Sequence, residues 1–296
     1  MSKKNIVCRY RLVKYFVIIF FILVNGCIIY SIYNSKYTLS ESFYTIDSSD
    51  INGAIRITHL TDLHNSQFGD TNKKLILKVT EERPDIILIT GDILNYDDEN
   101  TDIAVCLISD LSKIAPVYLS MGNHEIAHMD NYHNDLYETF TDAGARVLDL
   151  DYEDVIINGQ IIRIGGLYGY ALPEEPEEKD QFPEETDFLK KFQDTDDYKV
   201  LICHMPAAWI EWGSLEAWDV DIIFSGHAHG GQIRIPFIGG LYAPDQGWFV
   251  GKSEGLYFSE DNESTIVLSR GLGSSGIIPR INNKPEVVVV DLFPEE

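Results

Sequence analysis

The segment Asp85-Ile-Ile-Leu-Ile-Thr-Gly-Asp92 decides the fold of this chain. Its apolar core, 85–90, is rich in isoleucine and predicts a short strand that is buried on both faces. Gly91 permits a tight exit from that strand. Asp92 then presents a carboxylate at the carboxyl end of the strand, which is where ligand sites assemble in layered α/β proteins.

Similar apolar runs recur on both sides of this segment, and stretches with helical spacing separate several of them. Strands are predicted at 55–60, 85–90, 116–121, 199–203, 221–225, 265–269 and 286–292, with a hairpin that turns at Asn158-Gly159. Helices are predicted at 72–82, 101–114, 131–143 and 207–217. The pattern indicates the α/β class, and specifically a four-layer αββα sandwich with two packed mixed sheets.

Metal-seeking side chains end five of these apolar runs, and they include five of the eight histidines. They lie in Asp62-Leu63-His64, Gly91-Asp92, Gly122-Asn123-His124-Glu125, Cys203-His204 and Gly226-His227-Ala228-His229. Carboxylate, carboxamide and imidazole groups suit Mn, Fe or Zn rather than a thiolate-type structural zinc. The set predicts a site for two divalent cations.

Each of these fragments also has a simpler interpretation when it is taken alone. An Asp-x-His pair after a strand is commonly a cap or a surface pair, and a lone histidine such as His204 is commonly a partly buried core residue. Gly-Asn-His-Glu is compatible with a turn, because Asn and Gly tolerate left-handed backbone. The occurrence of all five fragments after strand-like runs favours the metal site.

The N-terminal 34 residues differ from the rest of the chain. Bases and no acids precede an apolar run from Tyr15 to Tyr33, which is close to the length a helix needs to cross a bilayer. Residues 1–34 are therefore predicted as a cytoplasmic basic tip and a single-pass signal anchor, with the catalytic domain outside the cell membrane. A cleaved signal, or a lipoprotein box ending at Cys27, is the alternative.

The remaining residues are predicted to comprise a stalk at 35–53 and one domain at 54–296. The formal net charge of −24 disfavours a nucleic acid polymer as partner, although a merely soluble surface explains it equally well. Cys106 and Cys203 lie in apolar runs and are expected to be buried free thiols. The Pro- and Glu-rich stretch 173–187 is expected to be a solvated surface loop.

The ordered motif set resembles the calcineurin-like metallophosphoesterase superfamily from about Ile55 to Leu292. The N-terminal anchor, the segment 226–232 and the late segment 269–280 are similar to those of its bacterial membrane-associated YkuE/YaeI-like branch.

The resemblance implies a role for each matching position. Asp62, His64 and His229 would hold one metal, Asn123, His204 and His227 the other, and Asp92 would bridge them. His124 would be the catalytic histidine beside the site and not a ligand. Two divalent cations, with Mn favoured over Fe or Zn, would lower the pKa of a shared water so that a bridging hydroxide attacks the phosphorus.

Two features qualify this assignment. Many superfamily members carry a second carboxylate three residues after the bridging aspartate, to pair with the catalytic histidine, but this chain has Asn95 there. His124 would then be less basic, or would rely on Asp97 or Glu125. Arg270 and Arg280 are candidate substrate-binding residues, because an arginine fork suits phosphate oxygens. Structural ion pairs are the alternative for both.

These features predict a membrane-anchored, dinuclear-metal-dependent phosphodiesterase or phosphatase. Its location favours lipid-linked, cell-envelope or nucleotide phosphoesters as substrates. A metal-binding interaction module without turnover and a protein phosphatase are the alternatives. The first would be expected to have eroded ligand positions, and the second fits poorly with Asn95 and an exported domain.

Overall fold

Two six-stranded mixed sheets form the centre of the protein. The computed structural model describes residues 3–169, 182–243, 247–261, 263–274 and 278–295, with the backbone alone for residues 3–11. In spatial order, the first sheet contains β1 (Ser40–Ser48), β16 (Glu286–Pro294), β2 (Ile55–Leu60), β3 (Ile86–Thr90), β4 (Val117–Ser120) and β5 (Ala145–Val147). The second contains β14 (Gly255–Phe258), β15 (Thr265–Leu268), β9 (Ile222–Ser225), β8 (Tyr198–Cys203), β7 (Gln160–Leu167) and β6 (Asp151–Ile157).

The central strands of both sheets run parallel, which brings their carboxyl ends to common edges. In the first sheet, β2 to β5 are mutually parallel, and β16 is antiparallel to β2. In the second sheet, β7, β8, β9 and β15 are parallel, with antiparallel strands at both edges. Short hairpins complete the strands: β10 (Arg234–Ile235) with β11 (Gly239–Gly240), and β12 (Tyr242–Ala243) with β13 (Gly247–Trp248).

Alternating side chains of β3 show why the segment around it dictates this architecture. Ile86 and Leu88 pack in the core between the two sheets, whereas Ile87 and Ile89 pack in a separate core beneath the helices. All four are at most 2% exposed. A strand with both faces buried needs apolar residues at every position, because successive side chains point to opposite faces.

Helices cover the outer face of each sheet, so the predicted four-layer αββα sandwich is confirmed. The helices are α1 (Lys3–Tyr37), α2 (Lys73–Glu82), α3 (Asp102–Leu111), α4 (Asn123–Tyr132), α5 (Leu136–Asp142), α6 (Pro183–Phe192), α7 (Ala207–Ile210) and α8 (Ser214–Ala217). Side chains of α2, α3 and α5 enter the core of the first sheet. Those of α6, α7 and α8 enter a third core on the second sheet.

Several predicted boundaries need correction. The helix expected at 131–143 consists of two helices, because His133 adopts left-handed backbone after α4 and Asp135 caps α5. The helix expected at 207–217 is likewise divided into α7 and α8. The end of the expected loop at 173–187 opens α6, while residues 173–181 lie outside the described residues. Cys203 is a buried free thiol as predicted, but Cys106 is exposed.

The stalk expected at 35–53 is corrected by β1. Residues 40–48 pair in parallel with β16 along their whole length and therefore belong to the first sheet. Only Thr38 and Leu39 separate this strand from the end of α1. Within α1, the stretch Leu12–Tyr37 is long and apolar enough to cross a bilayer. The helix therefore runs almost directly into the sandwich.

Candidate metal centre

The metal-seeking side chains of all five sequence stretches meet at the carboxyl ends of five parallel strands. Asp62 and His64 follow β2, and Asp92 follows β3. The other ligand candidates follow β4, β8 and β9: they are Asn123, His204, His227 and His229. Since the two sheets pack face to face, these strand ends lie side by side, and the fold itself concentrates the seven groups.

Backbone conformation marks the site independently of its side chains. Five of the seven candidate ligands have positive φ, between 47° and 65°, namely Asp62, His64, Asp92, His227 and His229. Left-handed backbone is uncommon for residues other than glycine and is concentrated at functional sites. Gly91 adds a φ of 76° immediately before Asp92. A Cβ on Gly91 would overlap backbone atoms of Gly122, and a Cβ on Gly122 would overlap the Asp92 carboxylate. Both positions therefore need glycine.

One group of ligand atoms surrounds the imidazole of His64. Its Nε2 atom lies 3.9 Å from Asp62 Oδ1, 3.6 Å from Asp92 Oδ2 and 3.3 Å from His229 Nε2. His229 Nε2 is also 3.7 Å from Asp62 Oδ1. The side chains are almost completely buried. These are the four groups to which the family resemblance gives the first metal and the bridge.

A second group adjoins the first through Asp92. His204 Nε2 lies 3.4 Å from Asp92 Oδ2 and 3.1 Å from Asn123 Oδ1. His227 Nδ1 lies 3.1 Å from the same Asn123 oxygen. The Asp92 carboxylate therefore belongs to both groups, as a bridging ligand must.

The residues fit two divalent cations. Ligand atoms about 2.0–2.2 Å from one ion lie roughly 3–4 Å from each other, which matches these separations. The ligand atoms within the triplets Asp62-His64-His229 and Asp92-His204-His227 all lie within 4.8 Å of one another. His64 Nε2 and His229 Nε2 lie 3.3 Å apart, a separation that two ligands of one cation can have. His204 Nδ1 contacts the Thr90 carbonyl oxygen at 2.6 Å, and donating there leaves Nε2 for the site.

The protonation states differ between the two groups of ligands. Neutral imidazoles are favoured around His64, whereas His204 forms an ion pair with Asp92. Burial lowers the pKa of His64 to about 3 and that of His229 well below its usual value, which keeps both rings neutral. For His204, burial opposes the imidazolium, but the charge and hydrogen bond of Asp92 outweigh it and raise the pKa to about 10. Because a metal ligand must be a neutral imidazole, metal binding at His204 would be pH-dependent.

His124 lies against the metal ligands, with a ring centroid 4.4 Å from that of His64. Its Nδ1 accepts a hydrogen bond from the Tyr96 backbone N–H at 3.2 Å, and burial lowers its pKa. The neutral ring thus carries its proton on Nε2, where it can be donated. One nitrogen also lies within 4.8 Å of ligand atoms of His64 and Asp92, so distance alone does not separate His124 from the ligands.

The two carboxylates that the sequence suggested as partners of His124 do not bond to it. Asp97 acts on His124 only through its charge. Asn95 donates instead to the backbone carbonyl of His64 at 3.2 Å, and so joins two of the ligand loops.

Glu125 does not pair with His124 but accepts hydrogen bonds from the backbone, a role that was not predicted from the sequence. Its Oε2 accepts from the backbone N–H groups of Asp92 and Gly122 at 2.6 and 2.8 Å, and its Oε1 from those of Ile93 and Leu94 at 2.8 and 3.2 Å. Burial and the charge of Asp92 raise the pKa of Glu125 to about 7, although the hydrogen bonds from the backbone N–H groups lower it in part. Glu125 therefore holds the Asp92 loop onto the start of α4. The capping-box spacing from Gly122 to Glu125 was the available signal.

The two candidate substrate arginines lie in different surroundings. Arg270 forms ion pairs with Glu254 at 2.7 Å and Glu286 at 2.9 Å, which is the structural alternative. Arg280 is 5% exposed, and its Nη2 lies 3.2 Å from His229 Nδ1. Because arginine can only donate, this Nδ1 accepts. A cation on Nε2 would move the ring proton to Nδ1 and release Nη2.

A buried set of carboxylate, carboxamide and imidazole ligands at the strand ends of an αββα sandwich defines a metal-dependent phosphoesterase, and this chain is one. The sequence pattern described as "Calcineurin-like phosphoesterase" matches residues 55–231, and the chain belongs to that family.

Three bacterial relatives resemble the chain over most of their length. It is 27% identical over 272 residues to "Uncharacterized metallophosphoesterase YkuE" of Bacillus subtilis, covering 89% of this chain and 88% of the relative. It is 27% identical over 246 residues to "Phosphodiesterase YaeI" of Escherichia coli, covering 80% and 82%. It is also 27% identical over 269 residues to an "Uncharacterized metallophosphoesterase" of Aquifex aeolicus, covering 86% and 92%. The predicted superfamily and its YkuE/YaeI-like branch are confirmed.

Proposed function

We propose that the chain is a membrane-anchored phosphoric ester hydrolase that uses two divalent cations, with Mn favoured, on lipid-linked or cell-envelope phosphoesters outside the cytoplasmic membrane. The observation that supports it most directly is the convergence of seven ligand side chains, six buried and Asn123 half-buried, on two adjoining positions that share Asp92. YaeI carries the name of a phosphodiesterase, which favours diesters as the first substrates to test.

The seven side chains divide between the two cations. Asp62, His64 and His229 would hold one, Asn123, His204 and His227 would hold the other, and Asp92 would be shared by both. Two such cations supply a nucleophilic water near neutral pH and neutralise charge that builds on the phosphoryl oxygens. Glu125 holds the backbone of Asp92 in place. It accepts hydrogen bonds from the N–H group of Asp92 and from three other backbone N–H groups.

His124 serves as the hydrogen-bond donor that stabilises the charge on the departing oxygen. The Tyr96 backbone N–H occupies its Nδ1, so the Nε2–H of the neutral ring is the group that donates. This arrangement needs no carboxylate partner, which accounts for the absence of one at Asn95. A positioned hydrogen-bond donor of this kind typically contributes a factor of about 10² to 10³ in rate.

The link between α1 and the metal centre supports a membrane-proximal substrate. Ser35 of α1 is buried, and its hydroxyl accepts a hydrogen bond from the Asn283 backbone N–H at 3.0 Å. The Asn283 side chain in turn donates to the backbone carbonyl of His229 at 2.6 Å. Two hydrogen bonds thus connect the C-terminal end of a membrane-length helix to a ligand loop.

Hydrolysis of bis-p-nitrophenyl phosphate by the full-length chain in detergent tests the proposal. We expect turnover with Mn²⁺, loss of turnover with EDTA, and two metal equivalents per chain by elemental analysis. Asp92→Asn should lose metal and activity together, because it weakens both cation positions.

Asp130→Asn provides the matched control, since Asp130 is exposed on α4. It should keep both metal content and turnover. A metal-loaded parent protein that cleaves neither phosphomonoesters nor phosphodiesters would overturn the proposal.

A further inference from the structure

A pocket of about 300 Å³ lies between the C-terminal end of α1 and the segment after β15. Helix α1 contributes Ile32, Ser35 and Lys36, and the other side includes Ser66, Ser274 and Arg280. This volume is at the lower end of the range for pockets that bind small molecules. Nothing in the function proposed above uses the pocket.

The polar groups of the pocket suit an anion. Lys36 and Arg280 line it, and its described lining has no carboxylate, although the chain carries a net charge of −24. Arg280 donates from Nε to the Gly273 carbonyl and from Nη2 to the Arg270 carbonyl, but its buried Nη1 has no partner among the described residues. An unpaired buried donor on a charged group is costly, and the negative charge of a phosphate in the pocket would offset part of that cost.

The pocket also lies at the level where a bilayer would place its headgroups. A helix crosses the hydrocarbon core in about 20 residues. A span that begins at Leu12 therefore leaves the core near Ser31, just before Ile32 and Lys36. Tyr30, Tyr33 and Tyr37 surround this point, and tyrosine and lysine are typical of the membrane interface.

We propose that this pocket binds the phosphate-bearing headgroup of a membrane lipid, with Arg280 and Lys36 on the phosphate. The lipid tail leaves past Ile32 along the exposed apolar face of α1. The inference rests on the proposed membrane anchoring, and it makes a lipid phosphoester the substrate class. Arg280 contacts His229, and Ser66 follows His64 by two residues, so a headgroup bound there adjoins the metal centre.

Native mass spectrometry of the full-length, metal-loaded chain in detergent tests this inference. The probe is a non-hydrolysable phosphonate analogue of phosphatidic acid. We expect one retained lipid per chain, and at least tenfold weaker retention in Lys36→Gln and in Ile32→Trp, which fills the pocket. Lys284→Gln is the matched control, because Lys284 lines a neighbouring depression beside α1 and not this pocket. It should change retention less than twofold.

Two further probes separate the sources of the interaction. Diacylglycerol lacks the phosphate and glycerol phosphate lacks the tails, so neither should compete with the analogue at tenfold excess. Competition by glycerol phosphate would identify a free-phosphate site and overturn the lipid assignment. If the parent, Lys36→Gln and Ile32→Trp retain the lipid analogue equally well, the lipid does not bind in this pocket and the inference is overturned. In either case, turnover of bis-p-nitrophenyl phosphate would still support the proposed hydrolase activity. Lipid binding without any turnover would refute the hydrolase activity but not the lipid-binding pocket.

Discussion

Replacing Glu125 by glutamine tests how the Asp92 loop is held. The carboxylate accepts four backbone N–H groups, two on each oxygen, from both sides of the site. Glutamine retains one acceptor oxygen, and its NH₂ group would face the other two N–H groups as a competing donor. Two buried backbone donors would then lack partners, and the side chain, being fully buried, has no access to water.

The expected cost follows from these two donors. Each buried donor left unsatisfied costs about 1–3 kcal/mol, so Glu125→Gln should lower the free energy of unfolding by about 2–6 kcal/mol. Asp92 should also shift with its backbone, and loss of such support typically weakens metal affinity by about 10- to 100-fold. Chemical denaturation of the metal-free and metal-loaded chain measures the first effect, and metal titration measures the second.

A glutamate in the neighbouring helix provides the control. Glu138 occupies the third position of α5, as Glu125 does in α4, but it is exposed. Glu138→Gln should change stability by less than about 0.5 kcal/mol. If Glu125→Gln unfolds as the parent does and binds both metals equally well, the reasoning about the four donors is refuted.

Three other predictions concern separate features. His124→Ala should keep both metals and lose turnover by about 10²- to 10³-fold; equal loss of metal in elemental analysis would make it a ligand. Gly122→Ala should reduce metal content, since its Cβ would overlap the Asp92 carboxylate; unchanged content would contradict this. Burial raises the pKa of Asp221 to about 6. The fold therefore retains this proton longer than the unfolded chain, so stability should fall as pH rises from about 4 to 6. Asp221→Asn should flatten that part of a melting-temperature profile, and an unaltered slope would refute the assignment.

The sequence was most informative where one physical constraint dominates. Strands buried on both faces must be continuously apolar, and this is why the central strands of both sheets were predicted within a residue or two. Five of them also carry the candidate ligands, so predicting the strands predicted which side chains meet. Ligand spacing alone could not have brought His204 near Asp92, which is more than a hundred residues away.

Elements that depend on tertiary contacts were harder to predict. Strand β1 has a mixed polar sequence, Ser40-Glu-Ser-Phe-Tyr-Thr-Ile-Asp-Ser48, because it is an edge strand beside β16 and is only half-buried. Nothing local distinguishes it from a polar connection. For Glu125, the local spacing signals only the hydrogen bond from Gly122, because its three other partners come from a loop about thirty residues earlier in the chain. The start of helix α6 was predicted to be a solvated loop, because its first turn continues the acidic composition of the preceding segment.

The two-residue connection between α1 and β1 has a mechanical consequence. A flexible tether of the length first expected would let a globular head sweep a radius on the order of 25 Å above its root. Thr38 and Leu39 allow no such excursion, and the strand that follows them is fixed along nine residue pairs. With α1 set in a bilayer, the catalytic face keeps one height and one tilt above the lipid surface. Membrane-embedded molecules in that leaflet would then meet the site by lateral diffusion at a constant distance from its metal ligands.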